Sequence, residues 1–165
     1  MVLAKYTYFL QELFDIPIGL QFQKHNFGPY SPDIKKAILG SAFNKDKFFK
    51  VSGSEEKQVY DLGQNSNNLF KYKNIELQKA EAAMKQFAVI TKNLPSQKIE
   101  LLATVCKIIQ DTKTSDLKII RLEMKNWETD KREFKNKADI FDEESTAKCL
   151  LFIKKQGWDA KLTQE

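Results

Sequence analysis

The chain has 165 residues, of which 42% are hydrophobic and 12% aromatic, and this apolar content excludes wholesale disorder. Its net charge of +5 permits contact with nucleic acid without requiring it. The longest apolar runs fall well short of the roughly 18–20 residues that span a membrane, and the N-terminus lacks a secretory signal, so we expect a cytoplasmic protein.

The first predicted element is a helix over residues 2–14, where apolar side chains recur at helical spacing. These side chains are Leu3, Tyr6, Leu10, Leu13 and Phe14, with Phe9 adding breadth. Pro17 and Gly19 end the helix, and the alternation over residues 20–24 predicts a short strand. Because no capping residue precedes the helix, we expect either a domain cut from a longer polypeptide or a naturally short N-terminus.

A turn-forming segment, Phe27-Gly28-Pro29-Tyr30-Ser31-Pro32-Asp33, follows the predicted strand. We call residues 27–33 the corner. Gly28 permits backbone conformations that other residues resist, and the two prolines fix φ. Ser31 suits an N-cap and Pro32 the first helical position, so the corner predicts a sharp turn into a helix.

The predicted second helix runs from about Pro32 to Leu39, and Gly40-Ser41 would cap its end. Its pattern places Lys35 and Lys36 outward. The side chains predicted to face inward are Ile34, Ala37 and Ile38. Apolar runs at residues 48–51 and 58–62, separated by a polar loop, predict a β-hairpin.

From Asn74 onward the pattern predicts helices only, with the division near residue 73. Four helices are expected. Asn74, Ser96 and Asp142 are the predicted N-caps of the first, second and fourth, and the third is predicted to start at Thr114. The face predicted for the first consists of Leu77, Ala80, Met84, Phe87, Ala88 and Thr91. The second is apolar on nearly all sides and is expected to be central. Gly157 would end the last helix, and Trp158 would fold back onto the core.

The predicted fold class is therefore mainly α with a small β-hairpin, an α+β arrangement. Residues 1–72 form a winged-helix-like part, since helix, strand, helix and hairpin occur in that order. Residues 73–165 form a helical part, and the two are expected to pack as one compact unit.

No catalytic or metal-binding pattern stands out, so we predict a protein that is not an enzyme and has no cofactor or metal. The single histidine, His25, lacks partners at the spacing of a Ser-His-Asp triad or a zinc site. Cys106 and Cys149 lie in apolar helical patterns and are predicted to be buried free thiols.

Nucleic-acid binding is the positive candidate, because exposed lysines supply phosphate contacts. The candidate residues are Lys35, Lys36, Lys45, Lys47, Lys50 and Lys57, with Tyr30 and His25 as rim groups. The alternative is that these lysines are ordinary solubilising charges, since nearby acidic residues dilute them and the chain has only two arginines, both elsewhere. A second basic zone, Lys125–Lys137, is interleaved with acidic residues and is predicted to be a solvated helix or loop.

Three segments in order carry a resemblance to a known family: Tyr8-Phe9-Leu10-Gln11-Glu12, Phe22, and the corner with Ile34. Over residues 3–62 the chain resembles bacterial winged-helix-like proteins related to Panacea or SocA-like antitoxin domains. It is also similar to domains associated with restriction-modification loci, including C-terminal extensions of type I methylase subunits. The resemblance implies a winged-helix-like fold without catalytic residues. Because no methylase motif is present, the catalytic domain would lie outside this chain if the chain is part of a methylase subunit.

We therefore expect a non-catalytic DNA-binding or assembly module associated with restriction-modification. Its partners would be duplex DNA or other restriction-modification subunits. The alternative is an antitoxin-like domain that binds a toxin-like protein without touching DNA.

Overall fold

The computed structural model of the chain describes residues 2–43, 48–53, 59–71, 74–130 and 133–164. Within these ranges the fold is mainly helical with one small antiparallel hairpin, which confirms the predicted fold class. None of the helices found there has both the length and the apolar character needed to cross a membrane. The division of the chain near residue 73 stays a prediction.

Helices occupy most of the described chain, and the elements occur in the predicted order. They are α1 Val2–Phe14, α2 Pro32–Phe43, α3 Ile75–Thr91, α4 Ser96–Thr112, α5 Leu117–Asn126, α6 Lys137–Ile140, α7 Glu143–Lys155 and α8 Trp158–Thr163. A 3₁₀ helix, Ser66–Lys71, lies between the hairpin and α3. The hairpin consists of β1 Phe49–Ser52 and β2 Val59–Leu62, with Phe49 opposite Leu62 and Ser52 opposite Val59.

The main core surrounds α4, as its nearly continuous apolar pattern predicted. This helix packs against α1, α5, α7 and α8. Its buried neighbours include Tyr8 and Phe9 from α1, Phe87 from α3 and Trp127 after α5. Trp158 is also buried, which confirms that the chain folds back after Gly157. Both cysteines are free; Cys106 is buried and Cys149 is half-buried.

A second, smaller cluster joins α1, α2 and the hairpin. Ala4 and Ile34 are its buried members. The partly buried residues packed on them are Leu20, Phe22, Tyr30, Phe49 and Val51. Through this cluster the corner and the hairpin are fixed to the same side of α1.

The predicted strand over residues 20–24 is wrong, since only a single bridge forms there. Gln23 and Tyr30 exchange two backbone hydrogen bonds of 2.9 and 3.0 Å. In an antiparallel ladder the next hydrogen-bonded pair would join Gln21 to Pro32. Pro32 has no N–H to donate and already begins α2, so the ladder stops after one pair.

Several predicted faces are also corrected. Ala37 is exposed, although α2 was expected to turn it inward. Leu3 on α1 and Leu77 on α3 are largely exposed, and Ala83 takes the buried position beside Phe87. Ala88, also predicted on the inner face of α3, is exposed as well. Helical periodicity alone does not show which apolar positions remain on the solvent side.

Several helix ends differ from the prediction. Gly40 lies inside α2, so Gly40-Ser41 does not end it. The third helix of the second half begins at Leu117 rather than at Thr114, because the Asp116 carboxylate accepts the N–H groups of Lys118 and Ile119. Ser96 is the first residue of α4 rather than its cap, and α8 follows α7 as an additional last helix. The predicted caps Asn74 and Asp142 are confirmed.

Candidate functional site

The corner forms the sharp turn that its glycine and prolines predicted. Gly28 has a φ of +100°, which side-chain-bearing residues rarely adopt, and its N–H donates to the His25 carbonyl at 3.0 Å. The α2 helix starts at Pro32 directly afterwards. Ser31 precedes the helix, but its buried hydroxyl has no hydrogen-bond partner among the described residues, so the predicted side-chain cap is wrong.

A group of buried charges lies beneath the corner, and we call Lys5, Glu100 and Lys137 the buried charge cluster. The Lys137 ammonium donates to the Glu100 carboxylate and to the Asn26 carbonyl, each at 2.7 Å. The Lys137 side chain is fully buried and that of Glu100 is 9% exposed. Such a pair costs much desolvation, so its geometry must be well supported to persist.

Gly28 lies directly on this cluster. A Cβ added at Gly28 would lie 3.5 Å from Thr104 Oγ1, 3.7 Å from Lys5 Cε and 3.8 Å from Glu100 Cγ. The backbone of the corner therefore approaches α1 and α4 closely enough that a larger side chain would displace one of them.

The segment between α5 and α6 is bonded to the corner's entrance, a hundred residues away in sequence. Asn26 and Asp130 form two hydrogen bonds. The Asn26 side-chain amide donates to the Asp130 carboxylate at 2.5 Å, and the Asp130 backbone N–H donates to the Asn26 side-chain oxygen at 3.2 Å. The Trp127 indole N–H donates to the His25 carbonyl at 3.0 Å. Together with Lys137, these bonds hold residues 25–26 against the helical part.

The sequence prediction missed the buried charge cluster. Lys137 was assigned to the solvated zone Lys125–Lys137, and that assignment is wrong for Lys137, although Lys125 and Lys135 are exposed. Lys131 and Arg132 lie outside the described residues. One signal was present, because Glu100 is an acidic residue inside a helix that is apolar on nearly every side, and such a position predicts a buried ion pair.

Three of the six lysines predicted to bind nucleic acid lie among the described residues, and each of the three is exposed. Lys35 and Lys36 are exposed on the first turns of α2, and Lys36 forms an ion pair of 2.9 Å with Asp33. Lys50 is exposed on β1, the strand that packs against α2, and lies opposite Asp61. Lys45, Lys47 and Lys57 lie outside the described residues, so their placement stays a prediction.

The two predicted rim groups are neighbours. The rings of His25 and Tyr30 lie 5.1 Å apart, with His25 exposed and Tyr30 half-buried. Tyr30 forms the bridge with Gln23, and His25 lies two residues after Gln23, so the two rings lie together beside this bridge.

Two cavities lie away from the corner. One, of about 510 Å³, is a groove between the first half of α4 and one side of α7, and we call it the α4–α7 groove. The other, of about 610 Å³, is polar and lies where α1, α4 and α8 end. Its charged groups already have partners: Lys161 pairs with Asp15 at 2.5 Å, and the Glu12 carboxylate accepts bonds from Gln11 and Gln110.

Nothing in the described ranges gathers three or more histidine, cysteine or acidic side chains in a metal-binding arrangement. Comparison of the sequence with known protein families and with curated proteins gives no match.

Proposed function

We propose that the chain is a non-catalytic module that contacts the backbone of duplex DNA through α2 and the hairpin, in a restriction-modification setting. The observation that carries the proposal is the display of Lys35 and Lys36 on the helix that leaves the corner. Lys50 is exposed on β1, on the strand face opposite to Phe49 and Val51. In this proposal α2 and the hairpin act as a winged-helix-like unit.

The ion pair between Lys36 and Asp33 does not remove Lys36 from this surface. Both side chains are more than half exposed, and an exposed pair of this kind contributes little, so a phosphate competes with the carboxylate. Ile34 lies on the opposite side of the same helix and is buried in the second cluster. This packing holds the lysines outward, and the family resemblance adds support for a winged-helix-like role.

A salt titration of binding to a short labelled DNA duplex tests the proposal. Because each neutralised phosphate releases counterions, replacing both Lys35 and Lys36 with glutamine is expected to weaken binding and to reduce the salt slope by about 2. Lys154→Gln/Lys155→Gln is the matched control, since it removes an adjacent exposed lysine pair at the end of α7. Equal losses in the two double variants, or no binding at about 50 mM salt, contradict the proposal.

A second candidate function is assembly with a partner protein, and one feature of the hairpin favours it. Leu62 lies opposite Phe49, and residues directly opposite in an antiparallel pair share a face. Phe49 packs into the second cluster, whereas Leu62 is 65% exposed at the end of that face. The centre of a protein interface is apolar, and Leu62 would extend such a centre from a strand face that is already packed at Phe49.

Co-purification with the methylase and specificity subunits of a restriction-modification complex from the same host tests this second function. Leu62→Ser is expected to reduce recovery of the complex, because it removes the apolar contact while leaving the strand register intact. Leu151→Ser, at a leucine 68% exposed on α7, is the matched control. Unchanged recovery with Leu62→Ser would leave DNA contact as the better account.

A further inference from the structure

The α4–α7 groove has a floor of apolar side chains from the main core, in which Cys149 and Phe152 are half-buried. Its lining includes Leu101, Leu102, Phe141, Cys149 and Phe152. A volume of about 510 Å³ lies in the range of sites that hold small organic molecules. The floor is part of the main core, so the groove is built on packed helices rather than on loops.

The rim of the groove is positively charged on one side. Lys98 is exposed on the first turn of α4, and no ion pair involves it within the ranges the structure describes. Lys148 on the opposite wall pairs with Glu144 at 2.5 Å, and the Asp142 carboxylate accepts the Ser145 N–H as the cap of α7. The carboxylates of Glu144 and Asp142 therefore already bind groups of α7, whereas the ammonium of Lys98 is available to bind an anion.

We propose that the α4–α7 groove binds a small amphipathic anion. The apolar body of the anion would lie on the apolar floor of the groove, and its anionic head would lie beside Lys98. This inference is independent of the proposed DNA contact, because the groove lies on the helical part and shares no residue with α2 or the hairpin.

The floor is uncharged at neutral pH, which suits an apolar body. Burial raises the pKa of the Cys149 thiol to about 12, so this side chain stays protonated and acts as a small apolar group. Complementarity thus comes from two separate features, the apolar floor and the cationic rim.

Fluorescence titration with anilinonaphthalene sulfonate, an aromatic body with one anionic group, tests the proposal on the full chain. We expect saturable binding that decanoate displaces and that decylammonium, with the same apolar tail and the opposite charge, displaces much less. Equal displacement by the two would show that Lys98 does not select the anion and would overturn the proposal.

Two matched pairs of variants locate the binding. Lys98→Gln is expected to raise the Kd roughly two- to fivefold, the range of an exposed charge pair, whereas Lys154→Gln on the outer side of α7 should not. Ser145→Phe places a ring in the groove and is expected to abolish binding, while Leu151→Phe adds the same ring outside it. Binding that is unaffected by Lys98→Gln, or that survives Ser145→Phe in a folded protein, contradicts the assignment.

Discussion

Replacing Lys137 with methionine is expected to lower the free energy of unfolding by about 3–5 kcal/mol, the usual cost of breaking a buried ion pair. The variant removes the ammonium that bonds both Glu100 and the Asn26 carbonyl at 2.7 Å. The Glu100 carboxylate would then stay buried without that cation, in a region where desolvation is costly. Urea unfolding followed by circular dichroism measures the loss.

The neighbouring lysine provides the control. Lys135→Met changes an exposed side chain two residues earlier and is expected to alter stability by less than about 0.5 kcal/mol. The double variant Glu100→Met/Lys137→Met is expected to recover much of the loss, because two apolar side chains replace both charges. A Lys137→Met variant no less stable than Lys135→Met would contradict the role given to the pair.

The hydrogen bond between Lys137 and Asn26 also links stability to the surface proposed for function. Lys137 donates to the Asn26 carbonyl, and the Asn26 side chain donates to the Asp130 carboxylate. The corner follows Asn26 directly, and α2 starts within it at Pro32. Loosening this contact is therefore expected to disturb where α2 presents its lysines, although no atom of Lys137 belongs to that surface.

The local part of this arrangement was predictable from the sequence. Gly28 and the two prolines of the corner have backbone requirements that act within a few residues, so the turn and the start of α2 follow from residue types alone. The hairpin was predictable for the same reason, since two short apolar runs around a polar loop specify their own pairing.

The long-range part was not predictable in the same way. Lys137 lies among alternating charges, and nothing in its neighbours distinguishes it from the exposed Lys135. Only the fold brings it against Glu100 and Asn26, which lie 37 and 111 residues earlier in the chain. The α4–α7 groove was not predicted either. It depends on how α4 packs against α7, and α5 and α6 separate these two helices in the sequence.

Replacing Gly28 with valine is expected to be the most damaging change within the corner. A side chain at a φ of +100° introduces backbone strain of about 1–3 kcal/mol. The Cβ alone would fit, because its nearest neighbour, Thr104 Oγ1, lies at 3.5 Å. The two further methyl groups of valine would press on the buried charge cluster and add about 1–3 kcal/mol of overpacking.

Gly19 separates these two contributions. It also has a positive φ, of +74°, but apart from its chain neighbours no atom of the described residues lies within 4 Å of a Cβ added there. Alanine at either glycine is expected to cost similar strain, measured by urea unfolding. Going on from alanine to valine should then cost about 1–3 kcal/mol more at Gly28 than at Gly19, because only Gly28 faces packed atoms. Equal increments at the two positions would mean that the corner does not need its close approach to α4, and that Gly28 is required for its backbone conformation alone.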